Sequence, residues 1–142
     1  MIGAGILGTR HARVYHERTD ARLVAVVDPD ATRAANVASG KEARTFATTR
    51  EMLAAVGPEG SGEVRAVSVA TPDHLHLEPV TACLEAGVDV FVEKPLAIDE
   101  REARAMVALA RERGRVLIVN YSQRWLAEHR RVESLVRDGA LG

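Results

Sequence analysis

Short β-rich runs alternate along this chain with longer stretches in which apolar residues return every three or four positions. Leu23 to Val27, Arg44 to Phe46, Ala66 to Ala70, Val88 to Val92 and Val116 to Val119 have the length and residue types of strands. The stretches between them predict amphipathic helices. Ala103, Met106, Val107 and Ala110 fall on one helical face, as do Val132, Leu135 and Val136, and both stripes are expected to face the core. Thr48 with Glu51, and Asp99 with Glu102, have the spacing of a capping box or its Asp variant. Gly57-Pro58-Glu59-Gly60-Ser61-Gly62 reads as a surface loop, and no repeat or low-complexity tract interrupts the alternation. Strand and helix in strict turn predict an α/β fold, a doubly wound parallel sheet with helices on both faces.

The loop entering the first helical pattern carries the most specific chemistry. Gly3-Ala4-Gly5-Ile6-Leu7-Gly8 spells GxGxxG, and Asp28 lies twenty positions after the last glycine, closing the run Leu23 to Val27. In a dinucleotide site the first glycine allows the tight strand-to-helix turn, the second admits a pyrophosphate close to backbone N–H groups, and the third lets helix and strand pack. Gly3, Gly5, Ile6, Leu7 and Gly8 are therefore candidate phosphate contacts. Asp28 is the candidate for the adenosine ribose hydroxyls, which places NAD ahead of NADP, although Arg33 nearby blurs that choice. Asp28-Pro29 also fits a helix N-cap followed by proline, a structural role, while Asp30 offers a second cap that would leave Asp28 for ribose.

Composition narrows the classes. The 142 residues suit one domain, and 46% hydrophobic content is enough for its core. Nineteen basic and twenty acidic residues, interspersed to a net charge of −1, give no footprint for nucleic acid or an anionic membrane. No apolar run approaches a membrane span and no leader pattern precedes the glycines, so a cytoplasmic setting is expected. Cys83, the sole cysteine, sits in a helical pattern and reads as a small packing residue.

Ligands of open α/β sheets bind at the carboxyl ends of strands, which directs attention to three segments: Thr71-Pro72-Asp73-His74-Leu75-His76, Glu93-Lys94-Pro95, and Asn120-Tyr121-Ser122-Gln123-Arg124-Trp125. Lys94, directly after the apolar run Val90-Phe91-Val92, is the candidate catalytic residue. It is expected at a pocket floor where a lowered pKa would suit proton transfer, with a solvated Glu93-Lys94 pair as the alternative. Lys94-Pro95 is open to a cis bond. Asp73, His74 and His76 are metal-competent residue types, but alternate positions point their imidazoles apart and Asp73 also serves as a cap, so no metal site is assigned. His11, His16 and His129 are read as surface or packing residues of helices.

In order along the chain, the glycine loop, Val26-Val27-Asp28, Ala70-Thr71-Pro72-Asp73-His74-Leu75-His76 and Val92-Glu93-Lys94-Pro95-Leu96-Ala97 resemble the glucose-fructose oxidoreductase and inositol dehydrogenase (Gfo/Idh/MocA) family over essentially the whole sequence. The Glu-Lys-Pro element is the more specific part. The resemblance implies a Rossmann-type domain that binds NAD and takes part in hydride transfer to or from a carbinol of a sugar, inositol or related polyol. It implies that Lys94 contacts the reacting oxygen, that Thr71, Pro72 and His76 belong to the cofactor side, that Glu93 lies near the nicotinamide ribose, and that Asn120 lies near substrate, with Arg124 and Trp125 in the same loop. A homo-oligomer is compatible with the family's full-length form.

Two departures from the family pattern bear on activity. Family members continue into a larger α/β domain that forms the other wall of the substrate site, whereas this sequence stops at Gly139-Ala140-Leu141-Gly142. Only Met1 and Ile2 precede Gly3, so the central first strand is expected to be truncated and its neighbours to lose ladder partners. The reading is thus of a dinucleotide-binding domain over residues 1 to 142, a fragment expected to lack the substrate domain. The alternatives are a non-catalytic NAD(P)-binding or sensing module and, more distantly, a metal-dependent hydrolase using Asp73, His74 and His76.

Overall fold

The computed structural model describes residues 1 to 141. Five parallel strands form its sheet: β1 (Ala25–Val27), β2 (Arg44–Phe46), β3 (Ala66–Val69), β4 (Asp89–Glu93) and β5 (Leu117–Asn120). The strands stand where the β-rich runs predict them, displaced or trimmed at the ends. β1 pairs with β2, and β3, β4 and β5 pair in that order. Ile2 joins the two groups, bridging Val27 on one side and Val69 on the other. With Ile2 as the residue of a central strand, the order is that of a doubly wound Rossmann sheet.

Alternation along each strand sorts the side chains to two faces. Ala25, Val27, Val67, Val69, Val90 and Val92 meet Met52, Val56, Val80, Cys83, Leu84 and Met106 from α3 (Thr49–Val56), α4 (Leu77–Glu85) and α5 (Glu100–Glu112). On the other face Met1, Leu23 and Val26 pack on Ala12, Ala34 and Val37 from α1 (Ile6–Glu17) and α2 (Ala31–Ala38). Helix starts follow their caps. Asp30 accepts from Thr32 N and Arg33 N, Thr48 accepts from Glu51 N while Glu51 returns to Ala47 N, and Asp99 accepts from Arg101 N.

The last helix departs from expectation. α6 (Ala127–Arg137) carries Val132, Leu135 and Val136 on one face, yet has no buried residue and packs chiefly on the 3-10 turn Ser122–Trp125. Val132 and Val136 are more than half exposed. Periodicity established that the helix has an apolar face; it did not establish that a neighbouring element covers that face. In the expected core stripe of α5, Met106 and Ala110 are buried but Val107 is exposed, one residue too far round the helix to reach the sheet. No helix among the described residues is long and apolar enough to cross a membrane.

Within this chain the first strand consists of the bridging residue Ile2 alone. Below Ile2, between Leu23-Val24 and Arg65-Ala66-Val67, lies a cleft of about 770 Å³ where the two halves of the sheet have no strand between them. The α-amine of Met1 sits at its upper end and donates to Ala25 O at 2.8 Å. Burial pushes that amine down from 8.0 to about 6.

The folded state therefore disfavours the charged amine, and in the window between the two values the unfolded chain binds more protons. Stability from this group is complete above pH 8 and is lost as pH falls toward 6, a difference of about 2–3 kcal/mol. Burial also lowers the His11 imidazole, which adds a loss of the same sign below its ordinary value of 6.5. Thermal melts across this range are expected to show a midpoint rising with pH. Acetylating the amine should flatten the part due to Met1, and adding about five apolar residues upstream should raise the midpoint by filling the cleft. Unchanged midpoints would contradict this account of the cleft.

Candidate active site at the carboxyl edge of the sheet

The glycine turn begins the site. Gly3 has φ +90°, and a Cβ there would lie 2.7 Å from Ala70 O, so the turn runs against the end of β3. A Cβ on Gly8 would collide with the Gly3 carbonyl, which sets the first turn of α1 directly on the loop. Gly5 differs: a Cβ there would meet nothing within 4 Å. It is the N-cap of α1, and no side chain caps the helix. The first-turn N–H groups and the positive end of the helix dipole are left for an anion, beside an open space that only glycine keeps fully clear. This cradle fits a dinucleotide pyrophosphate. Ile6 is 77% exposed and Leu7 is also exposed on its rim.

Asp28 latches this turn to the next one. Its Oδ2 accepts from Ala4 N at 2.8 Å and its Oδ1 from Asp30 N at 2.9 Å, and Arg33 Nη2 lies 3.2 Å from Oδ1. The carboxylate is buried yet retains acceptor capacity on both oxygens. Asp30, and not Asp28, caps α2.

The segment after β3 crosses beside the glycines. Thr71 Oγ1 is enclosed without a hydrogen-bond partner among the described residues, and Pro72 leads exposed into the 3-10 turn Asp73–Leu75. His74 is exposed, with Nδ1 3.5 Å from its neighbour Asp73, whereas His76 is buried. Both His76 nitrogens face backbone carbonyls, Nδ1 at 2.9 Å from Pro95 O and Nε2 at 3.1 Å from Thr71 O. His76 therefore ties the segment after β3 to the segment after β4. The described residues contain no group of three His, Cys, Asp or Glu that could hold a metal ion.

Glu93 and Asn120 are the last residues of β4 and β5 and are register partners, inside the strands instead of after them. Asn120 Nδ2 donates to Glu93 Oε1 at 2.7 Å, and Lys94 N donates to Glu93 Oε2 at 3.3 Å. Lys94-Pro95 is cis. The Lys94 side chain is exposed and has no ion-pair partner among the described residues, which corrects the expectation of a pocket floor. The buried stretch ends at Glu93, and the next residue already lies beyond the strand. Arg124 and Trp125 lie on the 3-10 turn after β5, Trp125 76% exposed, and no side-chain hydrogen bond ties either to the other site residues. Burial pushes the Cys83 thiol up to about 12, consistent with packing and not nucleophilic chemistry.

Two members of this edge were missed in the sequence. His11, on α1, contacts Glu93 Oε1 through Nε2 at 3.1 Å and Ser68 Oγ through Nδ1 at 2.8 Å. The available signals were slight: His11 shares a helical face with Tyr15, and Ser68 is the one polar residue within Ala66-Val67-Ser68-Val69.

The sequence model of an oxidoreductase family with an NAD-binding Rossmann fold, GFO_IDH_MocA, matches residues 1–121. Inositol 2-dehydrogenase 3 of Saccharopolyspora erythraea is 38% identical over all of this chain, which covers 41% of that protein. The UDP-N-acetylglucosamine 3-dehydrogenase GnnA of Acidithiobacillus ferrooxidans is 34% identical with a TM-score of 0.80, over 94% of this chain and 41% of that one. The WlbA dehydrogenase of Chromobacterium violaceum, solved with NADH and UDP-GlcNAcA, is 26% identical with a TM-score of 0.89, over 99% of this chain and 39% of that one. The chain thus spans about two fifths of the length of these relatives.

Two alanine substitutions should separate the roles of the glycines. Gly3→Ala combines a left-handed φ with a backbone clash and is expected to cost at least about 2 kcal/mol in denaturant unfolding. Gly5→Ala enters open space from an extended φ of −76° and should stay within about 1 kcal/mol of the parent. Equal losses would contradict the assigned geometry.

Proposed function

Because the chain belongs to the Gfo/Idh/MocA oxidoreductase family, we propose that it is the NAD-binding part of a dehydrogenase that interconverts a carbinol and a carbonyl on a sugar, an inositol or a related polyol. The observation that carries this reading is the convergence, on one sheet edge, of an uncapped glycine turn open at Gly5, the ribose-side carboxylate of Asp28, and the Glu93-Lys94-Asn120 group. Bound NAD would supply the hydride acceptor, and this chain's residues bind, orient and handle the hydroxyl proton.

The α1 N-terminus and the glycine backbone hold the pyrophosphate, with Ile6 and Leu7 beside it. Asp28, anchored by Ala4 N and Asp30 N with the Arg33 guanidinium beside it, would offer its remaining lone pairs to ribose hydroxyls. Thr71 and Pro72 wall the cofactor side, and His76 keeps that wall in place against Pro95. Lys94, exposed just beyond the end of β4, would reach the substrate oxygen and stabilise negative charge developing on it. Glu93 and Asn120 line the space between, with Arg124 and Trp125 on the outer rim. The expected ligands are NAD and a neutral polyhydroxy substrate.

Calorimetric titration of the chain with NADH and with NADPH tests the binding half. Saturable NADH binding is expected, weakened at least about tenfold by Asp28→Ala and abolished by Gly5→Val without loss of fold. A folded chain that binds neither cofactor would overturn the reading. For the catalytic half, measured with the chain joined to a family substrate domain, Lys94→Met is expected to lower polyol oxidation by about 10²-fold or more while NADH affinity is retained. NADH binding with no turnover by that joined protein across a panel of inositols and sugars would instead assign a non-catalytic binding module.

A further inference from the structure

Under the first turns of α1 lies a polar cluster that the reading above does not use. His11 Nε2 is 3.1 Å from Glu93 Oε1, and His11 Nδ1 is 2.8 Å from Ser68 Oγ. The ring is seated edge-on to Tyr15, with centroids 6.5 Å apart, and tilted against Phe91 at 5.9 Å. A carboxylate only accepts, so Nε2 bears the hydrogen; Nδ1 is then an acceptor and the Ser68 hydroxyl donates to it. Burial lowers the imidazole pKa, with nearby Glu93 opposing, which agrees with a neutral ring. The order serine, histidine, glutamate superficially matches a hydrolase triad. Ser68, however, is 3% exposed and lies within β3 on the wall of the cleft below Ile2, away from the carboxyl edge where the candidate site lies.

What the cluster does is fix Glu93. Three donors converge on that buried carboxylate: His11 Nε2 and Asn120 Nδ2 on Oε1, and Lys94 N on Oε2. Asn120 and Lys94 N belong to the candidate site, whereas His11 comes from the opposite layer and is held by aromatic packing and by Ser68. We propose that His11 is a positioning residue: by its Nε2–H it sets the orientation of Glu93, and through Glu93 it sets the Asn120 amide and the Lys94 backbone that line the nicotinamide end of the crevice. This inference rests on the NAD-dependent reading for its functional consequence and on geometry alone for its structural one. Without the His11 donor, Glu93 retains two donors at a strand end beside water, and it is free to swing outward and take the Asn120 amide with it.

The test compares the 142-residue chain with H11F and H11Q. Phenylalanine keeps the packing on Tyr15 and Phe91 and removes the donor, while glutamine keeps an N–H donor at similar reach. In nitrogen-15 spectra, H11F is expected to shift the Lys94 amide and the Asn120 side-chain amide signals and to weaken NADH binding about tenfold. H11Q should restore both, with thermal midpoints of the two variants alike. Lys94 and Asn120 signals unmoved in H11F, or moved equally in H11Q, would overturn the proposal. Should H11F fail to fold, H11N replaces it, because its amide lies one methylene short of Glu93; H11N is then expected to shift the signals that H11Q leaves in place, and identical spectra would overturn the proposal. If the parent chain binds no NADH, the functional reading fails, and the two amide signals still decide the geometry.

Discussion

The two halves of the sheet are joined through the backbone of three residues. Val27 N donates to Met1 O, Gly3 N to Val27 O, Ile2 N to Ser68 O and Ala70 N to Ile2 O, each at 2.8 Å. The Met1 amine adds a bond to Ala25 O, and the other strand ladders lie within the β1-β2 pair or the β3-β4-β5 group. The same three residues also place the glycine turn, because Gly3 leaves this junction against Ala70 and opens directly into α1. Cohesion of the fold and position of the candidate phosphate cradle therefore rest on one short segment. It lies at the carboxyl end of the sheet, where ligands of such folds bind, and the cleft lies at the opposite end.

At that edge two buried carboxylates perform similar work. Asp28, just past the end of β1, gathers Ala4 N and Asp30 N; Glu93, at the end of β4, gathers Asn120, Lys94 N and His11. Each converts a strand terminus into a fixed point from which adjoining loops are hung, and each satisfies its charge with N–H donors drawn from different elements. His76 links the intervening loops by a third route, carbonyl to ring to carbonyl. The crevice wall is thereby held by side chains of the scaffold, and its loops contribute mainly backbone.

Much of this was legible in the sequence for local reasons. GxGxxG, the capping residues Asp30, Thr48 and Asp99, and the β-rich runs express constraints that act within a few residues of chain, and they stand where expected. What was not legible depended on partners distant in sequence. His11 and Ser68 are 57 positions apart, and neither has a local feature that demands the other. The face of Val132, Leu135 and Val136 has helical spacing, but spacing carries no information about what lies opposite. Lys94 follows an apolar run, yet exposure changes within one residue at a strand end, so the same pattern fits a pocket floor or a rim. The carboxylates at 28 and 93 stand out in the sequence by position, while their anchoring by backbone amides emerged only from the folded arrangement.

Cys83 also has an experimental consequence. It is the sole thiol, fully enclosed between α4 and the sheet, and its pKa of about 12 leaves almost no thiolate at neutral pH. A thiol reagent can therefore modify it only after the helix layer parts from β3 and β4. The rate of labelling at this atom is a built-in clock for opening of the larger core, readable without any engineered probe.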